Sequence, residues 1–482
     1  MLNENFKNLL HRMMMFFIFC VLTASSAISK NLPILKVNLT GNVPIQDDYK
    51  KGTLQLTDAN GKIVKLNAKF KLRGATSRHF DMKPSFTMKL QNSDYSKELD
   101  STLLNIRSCS SWILDAMAID RICMRNRVCF DIWNDFSPLP YSTDFNGRSG
   151  TKGEFVEVYI NDSYTGIYCL SDKINRKLLD LKKAKEEKNG SITLKGLLYK
   201  RGVNNLGSLE TPGYFDNYKV YIPKELDSWE LADPDDYACE AAWAPLKKLY
   251  TQPQTFESVK QSYNIDNLVD YELFVMTLCL TDNWGLKNQY LSIRNATKVG
   301  EEDAVALITP WDLDTSLGGH FTGEYYNGKL ETEFTPYDVI KNALYPFSVC
   351  NEDIDFKTKL VNLWKTVRNN QFSVESVSNR IKNYAKIFNE SGAWKRQWNF
   401  YESLQYKPLM VEDLNKEVNY IIDWYKNQVK LVDTYLLGSS TGIENIIPVS
   451  QTSAIYDLQG RKVNGKLSKG IYIQSGRKLF VP

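Results

Sequence analysis

Hydrophobic periodicity changes along this chain, and that change limits the fold more than any single motif does. Residues 34–40 and 53–72 alternate apolar and polar side chains, the period of half-buried strands. In Ser85 to Leu90, Phe86, Met88 and Leu90 share one face and Thr87 and Lys89 the other. Val156, Val158 and Ile160 alternate, Asn161-Asp162 marks a turn and Gly166 to Leu170 returns, which predicts a hairpin over 154–172. A second hairpin is expected over 288–309, with Gly300-Glu301-Glu302-Asp303 as its turn. Helical spacing dominates 354–437 and recurs at 236–250 and 266–281. Residues 111–136 also read as a helix, on a stripe of Ile122, Cys129, Trp133 and Phe136. Asn126 falls inside that stripe with Arg125 beside it, a polar pair that needs partners, in a bond network or in a site. The Lys- and Glu-rich stretch 178–193 predicts a solvated loop or helix, and 204–236 an irregular insertion. A β-rich first part and a helical last part make the chain α+β.

The ends read differently. Lys7 and Arg12 precede an unbroken apolar run from Met13 to Leu22, and Ala24 to Ala27 follow. Residues 1–29 therefore read as a signal peptide, too short to span a bilayer comfortably, and place the mature chain outside the cytoplasm. Phe19 before Cys20 argues against lipidation, which needs a small residue there. Gly438 to Gly442 opens a linker, 439–451, and short strands punctuated by Gly460, Gly465, Gly470 and Gly476 form a tail over 452–482. That tail is too short for a strong core of its own.

Composition narrows the chemistry. A formal charge of +4 on 482 residues gives no footprint for nucleic acid. Of 3 histidines only His79 and His320 lie in the body, which excludes a three-His zinc site. Seven cysteines follow residue 29, none in Cys-x-x-Cys spacing. Buried free thiols are the simpler reading beside a Cys123–Cys129 disulfide. What remains for chemistry is carboxylate, Lys, Arg and an oxygen-bound metal.

Two carboxylate segments stand out. Asp282 ends the apolar run Leu273 to Leu280, where a carboxylate is costly unless paired or solvated in a cleft. Asp312 and Asp314, in Pro310-Trp311-Asp312-Leu313-Asp314, share one side of an extended segment and suit a hard divalent cation. Asp282, Asn288, a hairpin and Asp312 follow one another in the order in which protein kinases place a catalytic Asp, a metal-holding Asn and a metal-binding Asp. The spacing of six differs from the kinase five, and neither His-Arg-Asp nor Asp-Phe-Gly occurs. Upstream, Arg73, Arg78, Lys83 and Lys89 supply cations, although a lone Lys83 or Lys89 is equally an ordinary solvent-face residue, and Asp172-Lys173 a surface ion pair.

These segments resemble the CotH kinase family. The likeness runs through Lys71-Leu72-Arg73-Gly74-Ala75-Thr76-Ser77-Arg78, Lys83-Pro84-Ser85 to Leu90, Trp112-Ile113-Leu114 through Asp120 to Met124-Arg125-Asn126, Val156 to Asn161, Tyr164-Thr165-Gly166-Ile167-Tyr168 and the two Asp segments. It spans roughly 34–435, within a domain of 30–438. It implies a divergent, bilobal protein-kinase-like fold. It also implies transfer of the ATP γ-phosphate to Ser or Thr of secreted proteins with Mg²⁺. On that resemblance Asp282 is the catalytic base or the residue that orients the acceptor hydroxyl. Asn288, Asp312 and Asp314 hold Mg²⁺, and Arg73, Lys83, Lys89 and Asp172 serve the nucleotide. Asp172 stands where the family usually has Glu, and Ala75 where Asn is commoner. The tail, with Ile455 to Val463 and Leu467 to Ile473, resembles C-terminal sorting tails of Bacteroidetes secreted proteins and suggests secretion machinery as a partner. Two other functions stay open: a cell-surface adhesion or structural protein that keeps the fold without catalysis, and a metal-dependent phosphoesterase on Asp312 and Asp314.

Overall fold

The computed structural model describes residues 31–41, 48–74, 83–141, 147–201, 225–226, 229–234, 240–283, 287–320, 335–341, 343–403 and 410–438, with four short tail strands after them. The leader, Arg78, His79 and the 439–451 linker lie outside these residues. Among the described residues no helix is long and apolar enough to cross a membrane.

The first part is a closed barrel. Its strands are β1 (Ile34–Leu39), β2 (Lys50–Thr57), β3 (Ile63–Leu72), β4 (Phe86–Gln91), β5 (Ser111–Asp115), and, after helix α1 (Arg125–Phe136), β6 (Gly153–Ile160) and β7 (Ser163–Asp172). Their order is β1-β2-β3-β4-β5-β7-β6, and β6 closes the ring by pairing parallel with β1, Leu35 opposite Val158. The alternation read from the sequence is what fills it: Leu35, Val37, Leu54, Leu56, Phe70, Phe86, Met88, Leu90, Val156 and Val158 form one buried core inside. Asn161 and Asp162 both have positive φ, 47° and 64°, as the two-residue turn between β6 and β7 requires.

The expected helix over 111–136 is corrected at its start, where β5 and a loop precede α1. Trp112 and Leu114 point into the barrel core while Ile113 joins a second core outside it, so both faces are apolar and no alternation shows. The helix begins only at Arg125 because Asp120 accepts the N–H groups of Met124 and Arg125, both at 2.7 Å, capping its free end.

Beyond the barrel come β8 (Lys185–Glu186) and β9 (Ile192–Thr193), a small hairpin in place of the expected loop or helix, then β10 (Leu197–Arg201), β11 (Glu225–Leu226) and β12 (Trp229–Asp233). Part of the expected irregular insertion is thus strand, and the rest lies outside the described residues. Helices α2 (Glu240–Thr251), α3 (Phe256–Ser262) and α4 (Ile265–Leu278) precede the second hairpin, β13 (Gln289–Ile293) and β14 (Ala306–Pro310). An antiparallel sheet β11-β12-β10-β13-β14 results. Helices α5 (Pro336–Lys341), α6 (Phe347–Cys350), α7 (Ile354–Val367), α8 (Val374–Glu390), α9 (Ala393–Ser403) and α10 (Leu414–Leu437) complete the helical part. The tail pairs β15 (Ile455–Tyr456), β16 (Lys462–Val463), β17 (Gly470–Gln474) and β18 (Arg477–Val481) in the order β16-β15-β17-β18.

One large apolar core joins the outer face of the barrel, through Ile113, Phe155, Ile167 and Cys169, to α1, α4, the second sheet and the late helices. Polar contacts fix this docking. The Gln397 carboxamide of α9 accepts the Ile167 N–H at 2.7 Å, and a Cβ on Gly166 (φ +100°) would lie 2.4 Å from that oxygen. Gly166 is therefore needed both for its backbone angle and for this close approach. Arg396 pairs with Glu157 at 2.6 Å, and the Tyr401 hydroxyl donates to Thr165 O at 2.7 Å.

Candidate active site

Three turns meet where the second sheet reaches the barrel. The first leaves α4, whose C-cap Cys279 is left-handed (φ 53°) and turns the chain out of the apolar core just before Asp282. The next residue, Asn283, is fully buried and bolts the turn in place: its Nδ2 donates to Asn288 O at 2.8 Å and to Trp311 O at 2.6 Å, while the Tyr271 hydroxyl donates to its carbonyl. Asp282 itself is partly exposed and pairs with Lys287 at 2.9 Å.

The second turn holds Asn288, the third Asp312. Asn288 has φ 56° and Asp312 φ 58°, so neither lies in plain extended backbone, and the alternating-side argument for Asp312 and Asp314 does not carry over. The two turns are tied directly, the Trp311 N–H donating to Asn288 O at 2.9 Å and the Asn288 N–H to Arg201 O at 3.0 Å. After Asp312 the chain is pinned by buried Leu313, by Ser316 Oγ donating to Leu313 O at 2.7 Å, and by Leu317 N donating to Leu278 O at 2.9 Å. Gly318 (φ +77°) and Gly319 let it pass Trp424 and Arg125, where a Cβ would lie 3.0 and 3.1 Å away.

The electrostatics are those of crowded carboxylates facing cations. Asp312 is solvent-accessible yet ringed by protein, and its carboxyl pKa is raised, first by burial and then by Asp115 and Asp282, against the lowering effect of Arg73 and Lys200. Asp314 is raised well above the usual range by burial, Asp312, Asp115, Asp120 and Asp282. On the other side the Lys173 amine is pushed down by burial and by Lys200, Lys89 and Arg73, with Glu230 opposing. Arg73 lies over the Trp311 ring, 5.2 Å from its centroid. Four cations close enough to repel one another, next to five carboxylates that do the same, suit a ligand that brings negative charge to one side and a cation to the other.

Among the expected site residues, Asp282, Asn288, Asp312, Asp314 and Arg73 come together here. Lys89 lies within electrostatic reach of Lys173 but pairs with Glu98 at 2.8 Å, both side chains over a third exposed (37% and 41%). Lys83 is buried rather than on a solvent face, over the Tyr168 ring at 5.5 Å and 3.7 Å from Cys123 Sγ. Asp172 is fully buried between Arg107 and Arg148, at 2.7 Å from each. Asp115, Lys173, Lys200 and Asn283 were not among the expected site residues. Asp115 and Lys200 carry no local signal, because their partners are far away in the chain. Lys173 follows Asp172 directly, one residue beyond the end of β7.

The donors present fit Mg²⁺. Among the described residues no group of three His, Cys, Asp or Glu forms a ready-made metal site. Mg²⁺ does not need one, since one or two carboxylates with substrate phosphate and water satisfy it, and the crowding of Asp312 and Asp314 is what a hard cation would relieve. No disulfide joins the six described cysteines, all of them buried, Cys123 and Cys129 included, so the disulfide alternative is corrected. Burial pushes the thiols of Cys109, Cys129, Cys169 and Cys279 up to about 12.

A family model described as CotH kinase protein matches residues 70–432. No curated protein matches the chain.

Proposed function

Because the chain belongs to the CotH kinase family, we propose that it transfers the γ-phosphate of ATP to Ser or Thr hydroxyls of proteins outside the cytoplasm. On this reading the barrel and the helical part act as the two lobes of a kinase-like fold. The observation that carries the proposal is the facing arrangement of Asp282, Asp312 and Asp314 against Arg73, Lys173 and Lys200 at the joint of barrel and second sheet.

The chemistry needs positioning and charge neutralisation rather than a special nucleophile. Asp282, accessible and anchored through Asn283, orients the acceptor hydroxyl and takes its proton as the oxygen–phosphorus bond forms. The bond to the ADP oxygen breaks, and ADP leaves with the charge that bond released. Arg73, Lys173 and Lys200 hold the phosphate oxygens. Mg²⁺ would be held by Asp312 and Asp314, with Asn288 beside them, and would neutralise charge on the phosphates. The leader-like first 29 residues and the tail that resembles a sorting signal support an extracytoplasmic substrate and export machinery as a partner.

The test is incubation of the purified chain with γ-labelled ATP, Mg²⁺ and Ser-rich or acidic protein acceptors. Wild type should incorporate label, and D282A and D312N should lose roughly 100-fold or more while keeping the wild-type melting temperature. Label that survives in both variants overturns the reading. A wild type with no transfer leaves the adhesion function, and hydrolysis of a phosphodiester dependent on Asp312 selects the phosphoesterase.

A further inference from the structure

Asn126, the polar residue inside the apolar stripe of α1, makes two bonds that the mechanism above does not use. Its Nδ2 donates to Asp115 Oδ2 at 3.1 Å, and its Oδ1 accepts the Leu313 N–H at 3.3 Å. Leu313 lies between Asp312 and Asp314, 187 positions further along the chain. We propose that Asn126 is a positioning residue that sets the Asp312–Asp314 turn against the barrel by clamping it to Asp115; this rests on the proposed metal-dependent phosphoryl transfer.

The clamp is built to be rigid. Asp115 ends β5, and its other oxygen accepts Met117 N at 3.1 Å and Ser85 Oγ at 3.3 Å. Ser85 Oγ in turn accepts the Ala116 N–H at 2.8 Å. Asp115 therefore cannot turn towards the Asp312 turn without breaking several bonds. The neighbouring Arg125 is equally fixed, its guanidinium 2.5 Å from Asp120 and its Nε 3.1 Å from where a Cβ on Gly319 would lie. α1 thus touches both ends of the segment 312–319 with two consecutive side chains. A carboxamide suits the place between a carboxylate and a backbone N–H, since its NH₂ donates to one while its oxygen accepts from the other. A carboxylate at 126 would face Asp115 with no proton to share, and an aliphatic side chain would do neither.

The expected result follows from that geometry. In N126L the Leu313 N–H loses its acceptor, and in N126D the new carboxylate repels Asp115 instead of donating to it; in both the clamp is broken, and the affinity of the full chain for Mn²⁺, read by its electron paramagnetic resonance signal, should fall about tenfold or more. The Mn²⁺ concentration for half-maximal transfer should rise in parallel, with turnover at saturating Mn²⁺ within about threefold of wild type. The double variant N126D/D115N exchanges donor and acceptor across the same contact and should recover Mn²⁺ affinity to within about threefold. Melting curves of each variant show whether it is folded. Wild-type Mn²⁺ affinity in both single variants, failure of the double variant to recover, or no Mn²⁺ binding by wild type overturns the positioning role. Wild type that binds Mn²⁺ but transfers no phosphate overturns the kinase reading instead and leaves the clamp judged by its Mn²⁺ affinities.

Discussion

Asp172 is where structural and nucleotide-binding roles separate most cleanly. It ends β7 with no exposed surface, and its Oδ2 accepts from Arg107 Nε and from an Arg148 terminal nitrogen, both at 2.7 Å. Its Oδ1 accepts the Lys152 N–H at 2.8 Å. The partners are themselves shielded, Arg107 at 6% and Arg148 at 21% exposure, so solvent screens the interaction weakly. Burial and Arg107 both push the Arg148 pKa down, and Asp172 is the leading influence pushing it up. Guanidinium groups do not release a proton at accessible pH. Asp172→Ala therefore leaves two neighbouring cations and a backbone N–H without their shared acceptor. Breaking a buried pair costs about 3–5 kcal/mol, and the lost backbone bond adds about 1 kcal/mol. Asp172→Glu, which restores the family's usual residue, keeps the charge but forces a methylene into a filled site, at about 1–3 kcal/mol. Urea unfolding followed by tryptophan fluorescence measures both variants, and nucleotide affinity is measured under conditions where they are folded. The expected outcome is at least about 3 kcal/mol lost in D172A, with ATP affinity within twofold of wild type. Wild-type stability together with a tenfold or greater loss of ATP affinity would refute the reasoning and return Asp172 to the nucleotide.

Lys173 should behave in the opposite way. Its amine is disfavoured in the folded state by burial and neighbouring cations, so K173M should be neutral or stabilising at pH 7 while weakening ATP binding about tenfold. K89A should change unfolding free energy by less than about 1 kcal/mol, because its ion pair with Glu98 is largely solvated; isothermal titration with ATP and urea melts check both. Glu272, buried in α4, has its carboxyl raised from 4.5 to about 8 by burial, partly offset by Asn351. A raised acid contributes most below its unfolded value, so stability should fall as pH rises from 4.5 to about 8, by about 3–5 kcal/mol. E272Q should flatten that slope in urea melts at pH 5 and 8.5, and an unchanged slope would exclude Glu272 as its source.

Much of this was legible where one face of an element is polar. The barrel strands announce themselves because Leu35, Val37, Phe86 and Met88 alternate with residues that reach solvent. β5 does not, since Trp112, Ile113 and Leu114 are all buried against two different cores. Asp282, Asn288 and Asp312 were readable because each follows an apolar run or borders a strand, where a polar residue stands out. Asp115 and Lys200 were not, because what makes them part of the site is spatial proximity to Asp312 and Lys173. Lys83 and Asp172 show the converse. A charge in an apolar context reads as a site, yet a Tyr168 ring or a pair of arginines accounts for it equally well.

The backbone at the site adds a reason for its residue types that chemistry alone does not supply. Asn288 and Asp312 both occupy the left-handed region, joined by the bond from Trp311 N–H to Asn288 O. For most L-residues that conformation costs about 1–2 kcal/mol, and Asn and Asp bear it best because their side chains can bond locally. The β13–β14 ladder sets Gln289 opposite Pro310, so the chain enters and leaves the sheet side by side, and the turns at Asn288 and Asp312 are held together there by buried Asn283, which reaches Asn288 O and Trp311 O. A sharp turn at a sheet end therefore selects Asn or Asp before any ligand is considered, and the ligand chemistry selects among the same few residues. An alanine at position 312 would lose carboxylate and turn together, so its inactivity would say little about the carboxylate. An asparagine keeps the turn and removes the charge, which is why D312N, and not D312A, isolates what Asp312 contributes to the chemistry.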